Sequence, residues 1–278
     1  MVAGDYLIKA LFFDLDGTLL NSEKKVSPKT RQTLEKCVEN GYKLFIATAR
    51  PPLLKRMLGW DDGFMSLFTG GSYYNGGCVE INGYKEYIFI DDRVVKEILD
   101  CIANYKNLNI SLQLEQEKHA FKIPIDEKYY KSWGIYIDET LNLNQIDNLK
   151  CVKILLFYSN LIDSTTFIDD ELIFTINKIC ADRVPFYFTD KRKCIQVMGK
   201  SVNKLNSIEK IREKFNFTKD EIAVFGDDVN DMEMLSEYPF SFAMGNGSDK
   251  VKKAARFVTL DNDNDGIHEA ICNLLKLI

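Results

Sequence analysis

The sequence predicts an α/β protein: a parallel sheet assembled from both ends of the chain, interrupted by an inserted α+β domain. Three observations predict it. A strand–helix–strand unit opens the chain, the same grammar returns near the C-terminus, and the stretch between has a different texture. The 278 residues are 46% hydrophobic and 28% charged, enough for one large domain or two moderate ones with a sizeable core.

Leu7 to Asp14 reads as a buried strand, with Leu11, Phe12 and Phe13 running straight into acidic residues and Gly17. Ser27-Pro28 then opens a helix, serine as N-cap and proline at the first helical position. Leu34, Cys37 and Val38 follow at helical spacing, and Asn40-Gly41 closes the helix. Tyr42 to Thr48 is a second apolar strand, so the segment is a βαβ unit, which implies a parallel sheet with a right-handed crossover.

Near the C-terminus, Cys194 to Met198 reads as a short strand. Val202, Leu205, Ile208, Ile211 and Phe215 mark one face of a helix. Thr218 and Glu221 fit a capping box, but a strand follows at once, so the pair reads as a turn. Glu221 to Phe225 is a buried strand ending in Gly226-Asp227-Asp228. Ser248 caps a helix through Ala255, Phe257 to Leu260 is a short strand, and Gly266 to Leu277 a closing helix.

The middle is rich in aromatic and charged residues. Strands are expected at 86–90, 120–124 and 151–158, and helices near 92–105 and 166–181. Asn75-Gly76-Gly77 and Asn82-Gly83, just before it, look like hairpin turns. The expected division is a core of 1–83 and 188–278 with an insert of 84–187.

A net charge of −5 argues against nucleic acid as a partner, since binding phosphates requires a basic surface. Lys191-Arg192-Lys193 and the run from Lys250 to Lys253 are short and read as solvated faces. The seven cysteines are scattered singly with no CxxC pair, and two histidines are too few to suggest a zinc site. Together with an N-terminus, Met1 to Lys9, that lacks a secretory apolar run, this points to reduced thiols in a cytoplasmic protein. No apolar stretch reaches membrane-spanning length, so no membrane partner is expected. Nothing in the pattern specifies an oligomeric state.

Four segments carry chemistry, each at a strand end or a helix start, the edge of an open α/β sheet where ligands bind. In Asp14-Leu15-Asp16-Gly17-Thr18, residues two apart face one way, so Asp14 and Asp16 can share a site while Gly17 permits a tight turn. One carboxylate can attack phosphorus and a second can shuttle a proton. Gly226-Asp227-Asp228-Val229-Asn230-Asp231 brings three more carboxylates and an amide to a second strand end. Packing these acids together is unfavourable unless a cation neutralises them, and hard oxygen donors select Mg²⁺ over zinc. Thr48 and Lys204 are weak signals alone: the hydroxyl and the ammonium can each reach a phosphate oxygen.

In company, the four segments resemble the haloacid dehalogenase (HAD) superfamily, whose motifs run DxDGT, a strand-end Ser/Thr, a Lys, and GDxxND. Gly226 to Met232, Ala243-Met244-Gly245-Asn246 and Asp265-Gly266-Ile267 resemble its Cof-like, type IIB-capped branch. The resemblance covers essentially the whole chain. It implies a Rossmann-like parallel-sheet HAD core with an inserted α+β cap. It also implies a Mg²⁺-dependent phosphomonoester hydrolase of small phosphorylated metabolites, sugar phosphates favoured.

By the same resemblance Asp14 is the nucleophile and Asp16 the general acid/base. Mg²⁺ is held by Asp14, the Asp16 carbonyl and Asp227, supported by Asn230 and Asp231. Thr48 and Lys204 clamp the phosphate beside Gly17, and the cap closes over the site and reads the leaving group. Ala49 and Leu205 depart from the family's usual glycines and add bulk near the expected phosphate position. Tyr129, Tyr130 and Trp133 in the cap read as packing before recognition.

Other classes fit less well. A dehalogenase needs neither Asp16 nor Mg²⁺, a P-type pump needs membrane helices, and a receiver module lacks the second acid and the insert. A phosphomutase or other phosphotransferase shares the machinery. A non-catalytic phospho-ligand-binding protein predicts erosion of Asp14, Asp16, Lys204 or Asp227, and all four are present.

Overall fold

The computed structural model describes residues 8–146, 150–158, 166–189 and 192–278. Residues 1–7, including the start of the strand expected from Leu7, and Lys191 of the basic patch lie outside the described residues. Strand β1 (Ala10–Phe13) leads to helix α1 (Pro28–Glu39) and strand β2 (Lys43–Ala47). Short helices α2 (Leu54–Leu58) and α3 (Asp62–Met65) precede β3 (Phe68–Tyr73), β4 (Cys78–Ile81) and β5 (Tyr84–Tyr87). Next come α4 (Asp92–Ile102), β6 (Leu108–Leu114), β7 (His119–Phe121), α5 (Tyr130–Trp133) and β8 (Thr140–Asn142). They are followed by β9 (Cys151–Tyr158), α6 (Asp170–Cys180), β10 (Phe186–Thr189) and β11 (Cys194–Met198). The chain ends through α7 (Lys204–Phe215), β12 (Ile222–Gly226), α8 (Met232–Glu237), β13 (Phe240–Ala243), α9 (Asp249–Ala254), β14 (Phe257–Val258) and α10 (Gly266–Glu269).

Two compact units result. The first comprises residues 1–50, 58–86 and 203–278, the second 51–57 and 87–202. The first holds an eight-stranded sheet in the order β14-β13-β12-β1-β2-β3-β4-β5. Its strands are parallel from β14 to β3, and β4 then turns back antiparallel through the glycine-bearing turn at 75–77. Asn82 and Gly83 both take positive φ at the β4–β5 turn, the geometry that hairpin chemistry requires.

Local signals explain the elements. Ser27 Oγ accepts the Thr30 amide at 3.0 Å with Pro28 behind it, and α1 buries Leu34 and Cys37. On one face of the sheet Phe13, Phe225, Phe242 and Phe257 occupy paired positions of four adjacent strands. Their rings stack in succession at 5.0, 5.0 and 5.1 Å. On the other face Phe12 stacks on Phe45 at 4.7 Å within a core shared with Ile208, Ile211, Val224 and Met234. The Thr218/Glu221 pair does form a reciprocal cap, on a single 3₁₀ turn ahead of β12.

The second unit holds a six-stranded sheet, β10-β11-β9-β6-β7-β8, antiparallel except between β7 and β8. Ile110, Leu112, Ile154, Leu156, Ile195 and Val197 face α4 and α6. The opposite face carries Phe121, Phe157 and Cys194, covered by Leu53, Trp133 and Ile135. Trp133 therefore packs, within 5.5 Å of the Phe121 ring and 5.9 Å of the Phe157 ring. Cys194–Met198, read in sequence with the C-terminal α/β grammar, pairs antiparallel with β9 in this sheet. A five-residue apolar run is the same signal in either sheet, and the β10 hairpin partner decides its place. The closing helix of the sequence reading is α10 continued by one wide π turn, Ala270–Leu274.

Phe242 sits inside the aromatic ladder, 1% exposed. Phe242→Ala is expected to lower stability by roughly 3–5 kcal/mol, the cost of a large core truncation. Urea unfolding checks this, and a loss under about 1 kcal/mol would mean that the ladder does not carry the core.

Candidate active site

The strand order creates the site. From β1 the chain passes to β2 on one side and later returns to β12 on the other, so β1/β12 is the switch point where an open parallel sheet leaves a crevice. Asp14 follows β1, its amide donating to the Phe225 carbonyl at 3.0 Å, and Asp227 follows β12. Asp231, on the 3₁₀ turn Val229–Asp231, completes the set. Carboxylate oxygens of Asp14, Asp227 and Asp231 all lie within 4.8 Å of one another.

Two glycines make this approach geometrically allowed. Gly17 has φ +85°, and a Cβ there would meet Asp227 Oδ2 at 2.3 Å. A Cβ on Gly226 would meet the Asp231 side chain at 2.5 Å. Either position with a side chain would force the carboxylates apart.

Lys204 is the counter-charge within the protein. Its Nζ lies 2.5 Å from Asp14 Oδ1 and 2.5 Å from Asp231 Oδ1, with both lysine and Asp231 fully buried. It stands at the very start of α7, where the Asn203 side chain caps the Asn206 amide at 2.7 Å. Burial opposes its charge, but Asp14 and Asp231 outweigh burial and hold it as an ammonium. Leu205, the bulky residue after it, turns away and packs on the core of the first unit.

The other acids are tied differently. Asp231 Oδ2 accepts the amides of Asp227 and Asp228, both at 3.0 Å. Asp227 Oδ1 accepts Thr18 Oγ1 at 2.8 Å, and its Oδ2 accepts the Asn246 amide at 3.2 Å. The same Asn246 nitrogen donates to the Gly17 carbonyl at 2.9 Å, stitching the two loops together. Asn230 Nδ2 donates to Asn75 Oδ1 at 3.1 Å. Thr48 is buried at the end of β2, its Oγ1 accepting the Arg50 amide at 3.1 Å.

Burial pushes the Asp14 carboxyl well above the usual range, with Lys204 opposing and Asp231 and Asp227 adding to the rise. Burial likewise raises Asp227 to about 7, reinforced by Asp231 and eased by Thr18. Two unit charges at the 4.8 Å limit repel by about 3 kcal/mol at an effective dielectric of about 20. One lysine cannot neutralise three carboxylates. The donor set is all hard oxygen, so it fits a divalent cation of the Mg²⁺ kind and not zinc.

Asp16 behaves oppositely. Arg50 grips it with two bonds, Nε to Oδ2 at 2.6 Å and Nη2 to Oδ1 at 2.7 Å, and Lys24 Nζ adds a third at 2.9 Å. Burial works to raise this carboxyl, but the two cations win and hold it at about 2. The sequence reading did not identify Arg50 or Lys24. Arg50 lies two residues past Thr48, a spacing that places both at one strand end, whereas Lys24 in its exposed loop left no signal.

The profile of the haloacid dehalogenase-like hydrolases matches residues 11–271. The chain belongs to that family. This HAD-like hydrolase is 27% identical over 270 residues to a 5-amino-6-(5-phospho-D-ribitylamino)uracil phosphatase of Bacillus subtilis (strain 168), covering 91% of this chain and 93% of that one. A second phosphatase of the same name from that organism is 24% identical over 273 residues, covering 96% of each. Among solved structures, a haloacid dehalogenase-like hydrolase from Bacteroides thetaiotaomicron has a TM-score of 0.79 at 24% identity, covering 96% of this chain and 99% of that one. A HAD subclass IIB sugar phosphatase has a TM-score of 0.78 at 24% identity, covering 97% and 100%. The HAD-like hydrolase is thus a phosphatase of the Cof-like branch, with the α/β core and α+β cap that its motifs implied.

A pH dependence follows for the cation-free protein. Asp227 has an ordinary value of 3.8 and a folded value of about 7, so the protonated form favours the fold. That stability is full below 3.8 and is lost as pH rises through 7. The Tm is expected to fall between pH 5 and 8 in chelator, and an added divalent cation to restore it at pH 8. A Tm that is flat over this range and unmoved by the cation would contradict a cation-binding trio.

Proposed function

We propose that the protein is a Mg²⁺-dependent phosphomonoester hydrolase acting on small phosphorylated metabolites, sugar phosphates favoured, through an aspartyl-phosphate on Asp14. The observation that carries this is the inequality among the clustered acids. Both oxygens of Asp231 and both of Asp227 accept hydrogen bonds, whereas Asp14 has only Oδ1 engaged. Asp14 Oδ2, with no hydrogen bond among the described residues, is the oxygen left to act as nucleophile.

The covalent steps balance on this chain's own residues. Asp14 Oδ2 bonds phosphorus as the ester P–O bond breaks, and the leaving oxygen takes its proton from Asp16. Asp16, now a carboxylate, removes a proton from water, whose oxygen displaces the Asp14 carboxylate and releases phosphate. For the first step Asp16 must be protonated, and the Arg50–Lys24 grip prevents that in the resting state. A phosphoryl dianion competes for the same two cations, so substrate binding and release of Asp16 are coupled. Lys204 and the Thr48 hydroxyl stabilise charge on the transferring oxygens, with Gly17 leaving backbone room beside them. Asp14, the Asp16 carbonyl and Asp227, with Asn230 and Asp231 in support, would hold Mg²⁺, which would supply charge neutralisation.

The substrate class draws on the relatives, two of which are named for a phosphorylated ribityl compound and one for a sugar phosphate. The inserted unit is assigned leaving-group selection. The seven cysteines, none of them in a disulfide, suit a reducing, cytoplasmic setting.

Phosphate release from p-nitrophenyl phosphate tests the reading, with activity expected in Mg²⁺ and none in chelator. Asp14→Asn is expected to abolish turnover with an unchanged circular dichroism spectrum, and near-normal rates in that variant would refute covalent catalysis. Asp16→Asn separates the two steps. Nitrophenolate leaves without a proton, so this variant should give a stoichiometric burst and then stall as phospho-enzyme. A variant without a burst would deny Asp16 its role in the water step.

A further inference from the structure

Strand β3 runs parallel beside β2 with Ser72 paired to Ala47, so the chain leaves β3 at the same sheet edge as Thr48. There it turns through three positive φ values in succession, Tyr74 at +52°, Asn75 at +56° and Gly76 at +106°. Left-handed backbone is costly for residues with a side chain, and such runs persist where the surroundings hold them. Both Tyr74 and Asn75 are buried.

What holds the turn is the site itself. The Asn75 amide donates to the Thr48 carbonyl at 2.9 Å, and the Tyr74 amide to the Arg50 carbonyl at 3.0 Å. Those carbonyls bracket the segment that carries the Thr48 hydroxyl and the guanidinium gripping Asp16. The turn also abuts the start of α7, the helix that presents Lys204. A Cβ on Gly76 would meet the Asn203 carbonyl oxygen at 2.4 Å, and Ser72 Oγ bonds Ser207 Oγ at 2.6 Å.

The Asn75 side chain adds a further tie. Its Oδ1 accepts Asn230 Nδ2 at 3.1 Å, across 155 residues of sequence. Backbone conformation does not call for this amide, since glycine takes positive φ at less cost than asparagine. With its Nδ2 engaged on Asn75, Asn230 keeps Oδ1 without a hydrogen bond among the described residues. That carbonyl oxygen is a hard donor, and an outer partner that fixes the orientation of such a group tunes what it can hold.

We propose that Asn75 is a positioning residue that ties the phosphate-clamping segment Thr48–Arg50 to the cation-supporting amide of Asn230. Its backbone amide fixes the first and its side chain fixes the second. The assignment rests on the phosphatase reading above, in which Thr48 meets phosphate and Asn230 supports Mg²⁺.

The test reads Mg²⁺ affinity without substrate, from the rise of Tm with ion concentration. The proteins are the wild type, Asn75→Gly, Asn230→Ala and the double variant. Asn75→Gly keeps the turn and loses the acceptor, so its apparent Kd is expected to rise about tenfold. Asn230→Ala should weaken binding at least as much, and adding Asn75→Gly to it should cost no more than about twofold further. With p-nitrophenyl phosphate at saturating Mg²⁺, Asn75→Gly should keep KM within about twofold of the wild type. Asn75→Val, whose branched side chain resists positive φ, should raise that KM about tenfold by loosening Thr48. A Kd for Asn75→Gly equal to that of the wild type, even with a lowered Tm, would make Asn75 structural only and overturn the proposal. So would full additivity in the double variant, or an unchanged KM in a folded Asn75→Val. A wild-type Tm that no Mg²⁺ concentration moves would sink the cation reading and this proposal with it. Wild-type protein that binds Mg²⁺ yet releases phosphate from no ester would sink the phosphatase reading, which the Tm series keeps separate from the Asn75–Asn230 tie.

Discussion

The Lys204 ammonium, buried between Asp14 and Asp231, is the interaction on which the site depends. It joins three stretches of chain far apart in sequence: the end of β1, the start of α7 and the turn after β12. Removing one member of such a buried set leaves a charge with no counter-ion, a loss of about 3–5 kcal/mol in comparable cases. The lysine does not finish the neutralisation. Asp227 remains within reach of both other carboxylates, and its raised protonation value is the mark of a charge the protein has not balanced. The protein's own cation therefore fixes the geometry and leaves negative charge that it does not balance.

The fold's contribution is placement. Parallel strands β12, β1 and β2 end at one edge, and the departure of the chain to opposite sides of β1 keeps that edge open. The packing that holds the edge is apolar and remote from the chemistry: the ladder from Phe13 to Phe257 on one face and the Phe12–Phe45 stack on the other. Backbone economy at Gly17 and Gly226 then lets the side chains converge.

Much of this was legible in the sequence, for physical reasons that differ by residue. Asp14, Asp227 and Asp231 were readable because several acids at two strand ends need a cation whatever the details. Lys204 gained meaning only beside them, and its burial between two carboxylates exceeds what a helix-start lysine foretells. Strands such as β9 were visible as long apolar runs. β6 was not, because Asn109, Ser111 and Gln113 interrupt its apolar side with polar residues that face the other way. β11 was visible as a strand but not in its sheet, since apolar content does not choose between parallel and antiparallel partners. The Arg50–Lys24 grip on Asp16 was illegible because it depends on side-chain reach across turns, which no periodicity records.

That grip explains how two carboxylates separated by a single residue acquire opposite proton affinities. Asp14 is enclosed, shares its lysine with Asp231 and faces another acid, so its proton affinity rises. Asp16, more than a third exposed at its side chain, meets two cations of its own and loses proton affinity. The usual route to a general acid is a carboxyl raised by burial. Here the resting state runs the other way, with Arg50 and Lys24 holding Asp16 as a carboxylate. On the proposed mechanism, protonation of Asp16 is conditional on a dianion that competes for Arg50 and Lys24, so the proton chemistry is gated by the group to be transferred.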